Sequence, residues 1–165
     1  MKRFYFIFVA LITATVVWAE IPKQMQSYYC QRGVEALMEG DITTGIDYLN
    51  KELKENPKNG YAFAWIAAGR ASSEEYGNAL TAINKALQYI PKKDIQYTSW
   101  TYSLRADIYL ELKDTVAALK DLNQAIKIDP NNEEYLETRG NVLFSLKKYE
   151  DSNRDYQKII SINPG

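Results

Sequence analysis

Reactive side chains are scarce in this sequence. Its 165 residues include no histidine. That excludes the commonest general base, the commonest metal ligand and every Ser-His or Cys-His nucleophile arrangement. Cys30 is the sole cysteine, so neither an internal disulfide nor a cysteine-pair metal site is available. An enzyme made from what remains would need a carboxylate pair or Ser-Lys chemistry, and no stretch gathers such groups into a recognisable site. Lysine and arginine number 20 against 21 acidic residues, a formal charge of −1. No basic field is therefore present to hold a nucleic acid backbone. The residues point to binding without a cofactor, a metal or nucleic acid.

The elements that would position binding residues are short amphipathic helices. The chain is 46% hydrophobic and 25% charged, a globular composition rather than a disordered one. Asn131 to Pro164 reads as two helices back to back, closed by a proline. Three further copies of that pattern lie upstream. Of the intervals between Pro57, Pro91, Pro130 and Pro164, the first and third are equal and the second is longer by five. Gly33, Ala67, Ala106 and Gly140 keep the same series. Large apolar residues recur at three- and four-residue steps, one stripe per helix. The small residues fall where two helices must approach closely, and each proline stops a second helix.

Four units follow, at about 26–59, 60–93, 99–132 and 133–165. Asp41 and Asp114 are expected to cap the second helices of units one and three. Ser72 and Glu75 have the spacing of a capping box in unit two. The five extra residues fall within 92–98. They read equally as a loop or as a longer first helix capped by Asp94.

These residues resemble the tetratricopeptide repeat family. Its pattern is a repeat of about 34 residues. It carries an aromatic or leucine, a glycine or alanine, an aromatic, then alanine, a large apolar residue, alanine and a final proline. Asp121 to Asn132, DLNQAIKIDPNN, is close to its standard ending. The resemblance covers 26–165 and implies an all-α solenoid of four helix-turn-helix repeats wound as a right-handed superhelix. Two positions depart from the pattern. Arg70 stands where a large apolar residue is expected. Glu52 stands where alanine is, which puts the second helix of the first unit in doubt or places it at an end of the stack. Ile159, Ile160 and Ile162 are expected near an uncovered end, so that the chain continues or that end packs on a partner.

The resemblance further implies a non-catalytic scaffold that binds a protein or peptide in a concave groove lined by the first helices. The matching positions are Ser27, Cys30 and Val34; Tyr61, Ala64 and Ala68; Trp100, Ser103 and Asp107; Glu134, Glu137 and Asn141. The first half of that groove is small and apolar, and the second is acidic. Tyr61 and Trp100 read either as anchors or as packing residues, and Glu134 and Glu137 either as contacts or as a solvated helix start. Cys30 reads as a buried residue or as an intermolecular disulfide partner. No groove lysine or arginine is present, and only Asn141 could belong to the family's carboxylate clamp.

Residues 1–19 read as a signal peptide. Lys2 and Arg3 precede an apolar run from Phe4 to Trp18, with Val17 and Ala19 at the −3 and −1 positions. The run approaches the ~18–20 residues that span a bilayer, so an uncleaved anchor is the alternative and the sole route to a membrane contact. The expectation is an exported bacterial protein, periplasmic or at the cell surface. The second reading is the recognition module of a longer exported enzyme or sensor.

Overall fold

The computed structural model describes residues 21–164; residues 1–19, for which a signal peptide is expected, lie outside them. Among the described residues there are eight α-helices and one short 3₁₀ turn, Lys23–Met25. The helices are α1 (Tyr28–Met38), α2 (Ile42–Glu55), α3 (Gly60–Ser72), α4 (Tyr76–Tyr89), α5 (Ile95–Glu111), α6 (Thr115–Ile128), α7 (Glu133–Ser145) and α8 (Tyr149–Ile162). The chain divides after Tyr89. The first unit holds α1 to α4 and the second α5 to α8, and both are built by the same local rules.

Each repeat pairs two helices at small residues. Gly33, Ala67, Ala106 and Gly140 on the first helices are followed, at one constant interval, by Gly45, Ala79, Ala118 and Ser152 on the second. All eight are buried. A Cβ on Gly33 would lie 2.6 Å from Leu49 Cγ and 3.0 Å from the Gly45 carbonyl oxygen. A Cβ on Gly140 would lie 3.3 Å from the Tyr156 ring, and the Ser152 hydroxyl donates to the Gly140 carbonyl at 2.8 Å. The crossing admits backbone where other faces admit side chains.

The turn inside each repeat has one left-handed residue: Gly40 (φ 87°), Glu74 (φ 62°), Lys113 (φ 63°) and Lys147 (φ 61°). Three of the four are not glycine and bear the strain of that conformation. The next residue opens the second helix. Asp41 and Asp114 cap as expected, accepting the Thr44 and Ala117 N–H at 3.0 Å. The capping box does not form. Ser72 is the last residue of α3, and its hydroxyl donates to the Ala68 carbonyl at 2.9 Å. Glu75 instead receives Arg70 Nη1 at 2.8 and 2.6 Å. The polar residue at an apolar position thus pairs across the turn into α4.

Every second helix ends two residues before its proline. Asn56, Asp129 and Asn163, which precede Pro57, Pro130 and Pro164, have ψ of 75–87° at φ near −130°. The proline ring excludes the preceding residue from the helical region. Of the two readings of 92–98, the structure has the helix. Asp94 accepts the Tyr97 N–H at 3.0 Å, and α5 runs 17 residues.

Glu52 is the other departure, and α2 is a regular 14-residue helix around it. Its side chain is fully buried (0% exposed). One oxygen accepts Asn56 Nδ2 at 2.9 Å and Asn59 Nδ2 at 2.8 Å; the other accepts the Ser27 hydroxyl. Ser27 caps α1 through the Cys30 N–H, Asn59 caps α3 through the N–H groups of Tyr61 and Ala62, and Asn56 closes α2. A single carboxylate therefore ties three helix ends together. Glu52→Ala would restore the residue type found at 86 and 125 yet strand buried donors. It should cost about 2–4 kcal/mol and lower the melting temperature; an unchanged melting curve would show that the network is dispensable. Lys148, in contrast, makes no side-chain cap on α8. Lys148→Asp should supply the bond that Asp41 and Asp114 make and raise stability by about 1 kcal/mol in chemical denaturation.

Candidate interaction face on the first helices

In the first unit four of the six expected groove positions are closed, and Ala68 and Ser27 are partly exposed. Cys30, Val34, Tyr61 and Ala64 are buried, with Tyr61 3% exposed. Ser27 is partly exposed, and its hydroxyl is committed to the α1 cap and Glu52. Tyr61 thus takes the packing role of its two readings. Burial, reinforced by the nearby Glu52 charge, pushes the Cys30 thiol up to about 12. A thiol so held is a core group rather than a nucleophile or disulfide partner.

In the second unit five of the six matching positions are at least partly exposed, and Ser103 is buried. On α5, Trp100, Ser103, Asp107 and Glu111 fall at steps of three or four residues and so share one side of the helix. Trp100 and Asp107 are partly exposed, and the Tyr97 ring meets Trp100 edge-on at 6.0 Å. On α7, Glu134 is partly exposed and Glu137 and Asn141 are exposed. The Asn141 side-chain oxygen accepts the Tyr156 hydroxyl of α8 at 2.7 Å. The Ser99 and Tyr135 hydroxyls meet at 3.4 Å and place α7 beside α5.

Ion pairs at a fixed spacing give this face its charge. Arg105 of α5 donates two bonds to Asp121 of α6 at 2.7 and 2.8 Å. Arg139 of α7 donates two to Asp155 of α8 at 2.9 and 2.6 Å, and a third to Asn123 at 2.7 Å. Both aspartates are buried. These are the only cations on α5 and α7, and both serve the second helices. The remaining charged groups of α5 and α7 are Asp107, Glu111, Glu133, Glu134 and Glu137, all carboxylates. The signal was in the sequence: Arg105 with Asp121 and Arg139 with Asp155 have the same separation and stand one repeat apart. A search confined to first-helix positions misses it.

Asp107 bears the consequence. Burial first, then the Glu134 and Glu111 charges, push its carboxyl from 3.8 up to about 7. Burial and Glu137 raise Glu134 as well. Burial pushes the Tyr135 phenol up to about 12. No donor or cation pairs with Asp107 among the described residues. A carboxyl whose value is raised in the fold favours the folded state while protonated. That contribution is complete below its ordinary value and is lost as pH rises through about 7. Asp107→Asn should therefore stabilise the protein on the order of 2 kcal/mol at pH 8. The gain should shrink toward pH 5, and melting curves at the two pH values check it.

A helix-pair repeat with its core along the small-residue crossings defines an all-α helical repeat protein. The comparisons agree. A family model described as TPR repeat matches residues 106–146. The chain is 29% identical over 93 residues to the small glutamine-rich tetratricopeptide repeat-containing protein 2 of Mycosarcoma maydis, covering 56% of this chain and 25% of that one. A tetratricopeptide repeat protein from Parabacteroides merdae superposes with a TM-score of 0.71 at 24% identity, covering 82% of this chain and 52% of that one. The MamA protein superposes at 0.69 with 20% identity, covering 82% and 72%. The match to that family model is confined to residues 106–146, and the superpositions show that the all-α helical repeat fold is shared with tetratricopeptide repeat structures. This chain spans 11% to 28% of the length of the first curated relatives it matches.

Proposed function

We propose that this chain is a non-catalytic interaction scaffold that binds a protein or peptide partner on the first-helix face of its second unit. The observation that carries the reading is the division of labour between helices. The second helices and both arginines secure the repeats, while α5 and α7 keep a partly exposed tryptophan and a row of carboxylates that make no ion pair among the described residues. Trp100 is the apolar anchor in this reading. Ser103, Asp107, Glu134 and Glu137 are its polar surround, and Asn141, tethered to Tyr156, marks the edge. Tyr61 contributes through packing. Burial of Tyr61, Ala64 and Cys30 favours placing the contact on the second unit rather than the first.

We further infer that the partner is met outside the cytoplasm of a bacterium, in the periplasm or at the cell surface, because Lys2, Arg3 and the apolar run to Trp18 have the form of an export signal. The second reading, a recognition module within a longer exported enzyme or sensor, is favoured by the exposed rings of Phe144 and Tyr149, whose centroids lie 5.4 Å apart, and by Ile160, 63% exposed on α8.

Photo-crosslinking tests the face. A benzophenone side chain at Glu137 should capture a discrete partner from envelope extract, and the same group at Lys120 on α6 should not. Capture from Lys120 with none from Glu137 would move the contact to the second helices.

A further inference from the structure

Within each unit, the first helix of the later repeat closes the repeat before it, and it does so from one fixed position. On α3 that position is Gly69, where a Cβ would meet Leu37 Cδ2 at 2.9 Å and Ile46 Cδ1 at 3.3 Å. On α7 it is Val142, buried with Ala106, Ala118 and Leu122 in a cluster against which Leu110 and Leu119 pack. Leu110 and Leu119 hold the register of Leu37 and Ile46. Two polar contacts add to the seat of α7. The Tyr135 and Ser99 hydroxyls meet at 3.4 Å, and Arg139 donates to Asn123 at 2.7 Å.

The α7–α8 pair has no such closing helix among the described residues. Phe144, in the register of Leu110, is 60% exposed, and Ile160, in the register of Ile126, is 63% exposed. Leu110 and Ile126 themselves are partly buried. At the other end, α1 is a first helix with no repeat before it among the described residues. Its Tyr28 stands in the register of the buried Tyr135, yet is 65% exposed. The Tyr29 and Tyr48 rings meet it edge-on at 5.6 and 6.3 Å. The side chains that stacking buries inside a repeat array are thus in water at both ends.

We propose that α1 of a second copy closes the α7–α8 end, so that two copies stack head to tail as consecutive repeats do within a unit. The match between the two ends identifies the occupant. Val142 and Leu119 share an apolar contact, but the residues in their places are Glu35 on α1 and Asn153 on α8, a carboxylate and an amide that can donate to it. Where Arg139 donates to Asn123, Arg32 meets the side-chain oxygen of Gln157. Where Tyr135 meets Ser99, the Tyr28 hydroxyl meets the acceptor Glu133. Asn153, Gln157 and Glu133 are all exposed. Arg32 pairs with Glu35 at 2.8 Å with both side chains more than half exposed, a weak pair that can reorganise. Two α7–α8 ends placed together would instead leave Tyr28 in water. The contact joins unlike surfaces, so each added copy leaves a free end for the next. It does not depend on the scaffold reading.

Sedimentation of the purified chain tests the stacking. The mass should rise with concentration and pass beyond the dimer. Tyr28→Asp and Ile160→Asp each bring an unpaired charge into the contact and should weaken association at least about tenfold. An equimolar mixture of the two should form a heterodimer and grow no further, because the intact α1 of one variant meets the intact α7–α8 end of the other. Circular dichroism shows that each variant is folded. Val116→Asp, at a site 81% exposed on α6 and outside the contact, should associate like the parent. Parent-like association by Tyr28→Asp with Ile160→Asp monomeric would overturn the proposal in favour of two α7–α8 ends. A mixture of folded variants that stays monomeric, or a parent that stays monomeric up to about 1 mM, would also overturn it.

Discussion

The close crossing of two helices at small residues is the constraint on which each repeat depends. A helix as short as α1 or even α5 does not bury enough apolar surface to stand alone in water. Bringing two backbones together at Gly33 and Gly45, or at Ala106 and Ala118, lets the large side chains on either side interlock. Leu49, Ile83 and Leu122 are then fully buried. Leu122 belongs to an apolar cluster with Ala106, Ala118 and Val142, so the first helix of one repeat completes the core of the repeat before it. The left-handed turn residue and the closing proline serve that crossing. One reverses the chain within a repeat, and the other releases it toward the next.

Buried charge plays a different part in each unit. In the second, Arg105 and Arg139 fasten the first helix of a repeat to the second by bidentate pairs with buried aspartates. Geometry of this kind restores in hydrogen bonds much of what desolvation takes away. In the first unit the matching positions hold Arg32 with Tyr48 and Ile66 with Ala82, neither of which is such a pair, and Arg32 pairs with Glu35 instead. There Glu52 gathers the ends of α1, α2 and α3, and Asn59 adds a bond to the Gln24 carbonyl at 2.7 Å. One unit is fastened along its helices and the other at its helix ends.

This difference has a functional side. Spending both arginines inward leaves α5 and α7 with carboxylates alone, and Asp107 is the one that burial and its neighbours press hardest. The same ion pairs that stabilise the repeats thus create the electrostatic character of the face. Local strain for function and compensating stability elsewhere are commonly found together.

The helices, their order and their spacing were legible in the sequence because each depends on local chemistry. A proline ends a helix wherever it sits, an aspartate caps the turn that follows it, and small residues at a constant interval must meet when two short helices fold back. The acidic character of Asp107, Glu134 and Glu137 was legible for the same reason. Other features were decided by the tertiary structure. Glu52 looked like a flaw in α2, since the donors that satisfy it, Ser27, Asn56 and Asn59, converge only when three helices pack. Tyr61 and Trp100 were equivalent by register, yet one is buried and the other partly exposed, because burial depends on every neighbour a side chain acquires. Ser72 lost its expected cap because α3 extends through it. Residue type and spacing determine which local structure a segment takes; which polar groups find partners is settled only when the helices are packed.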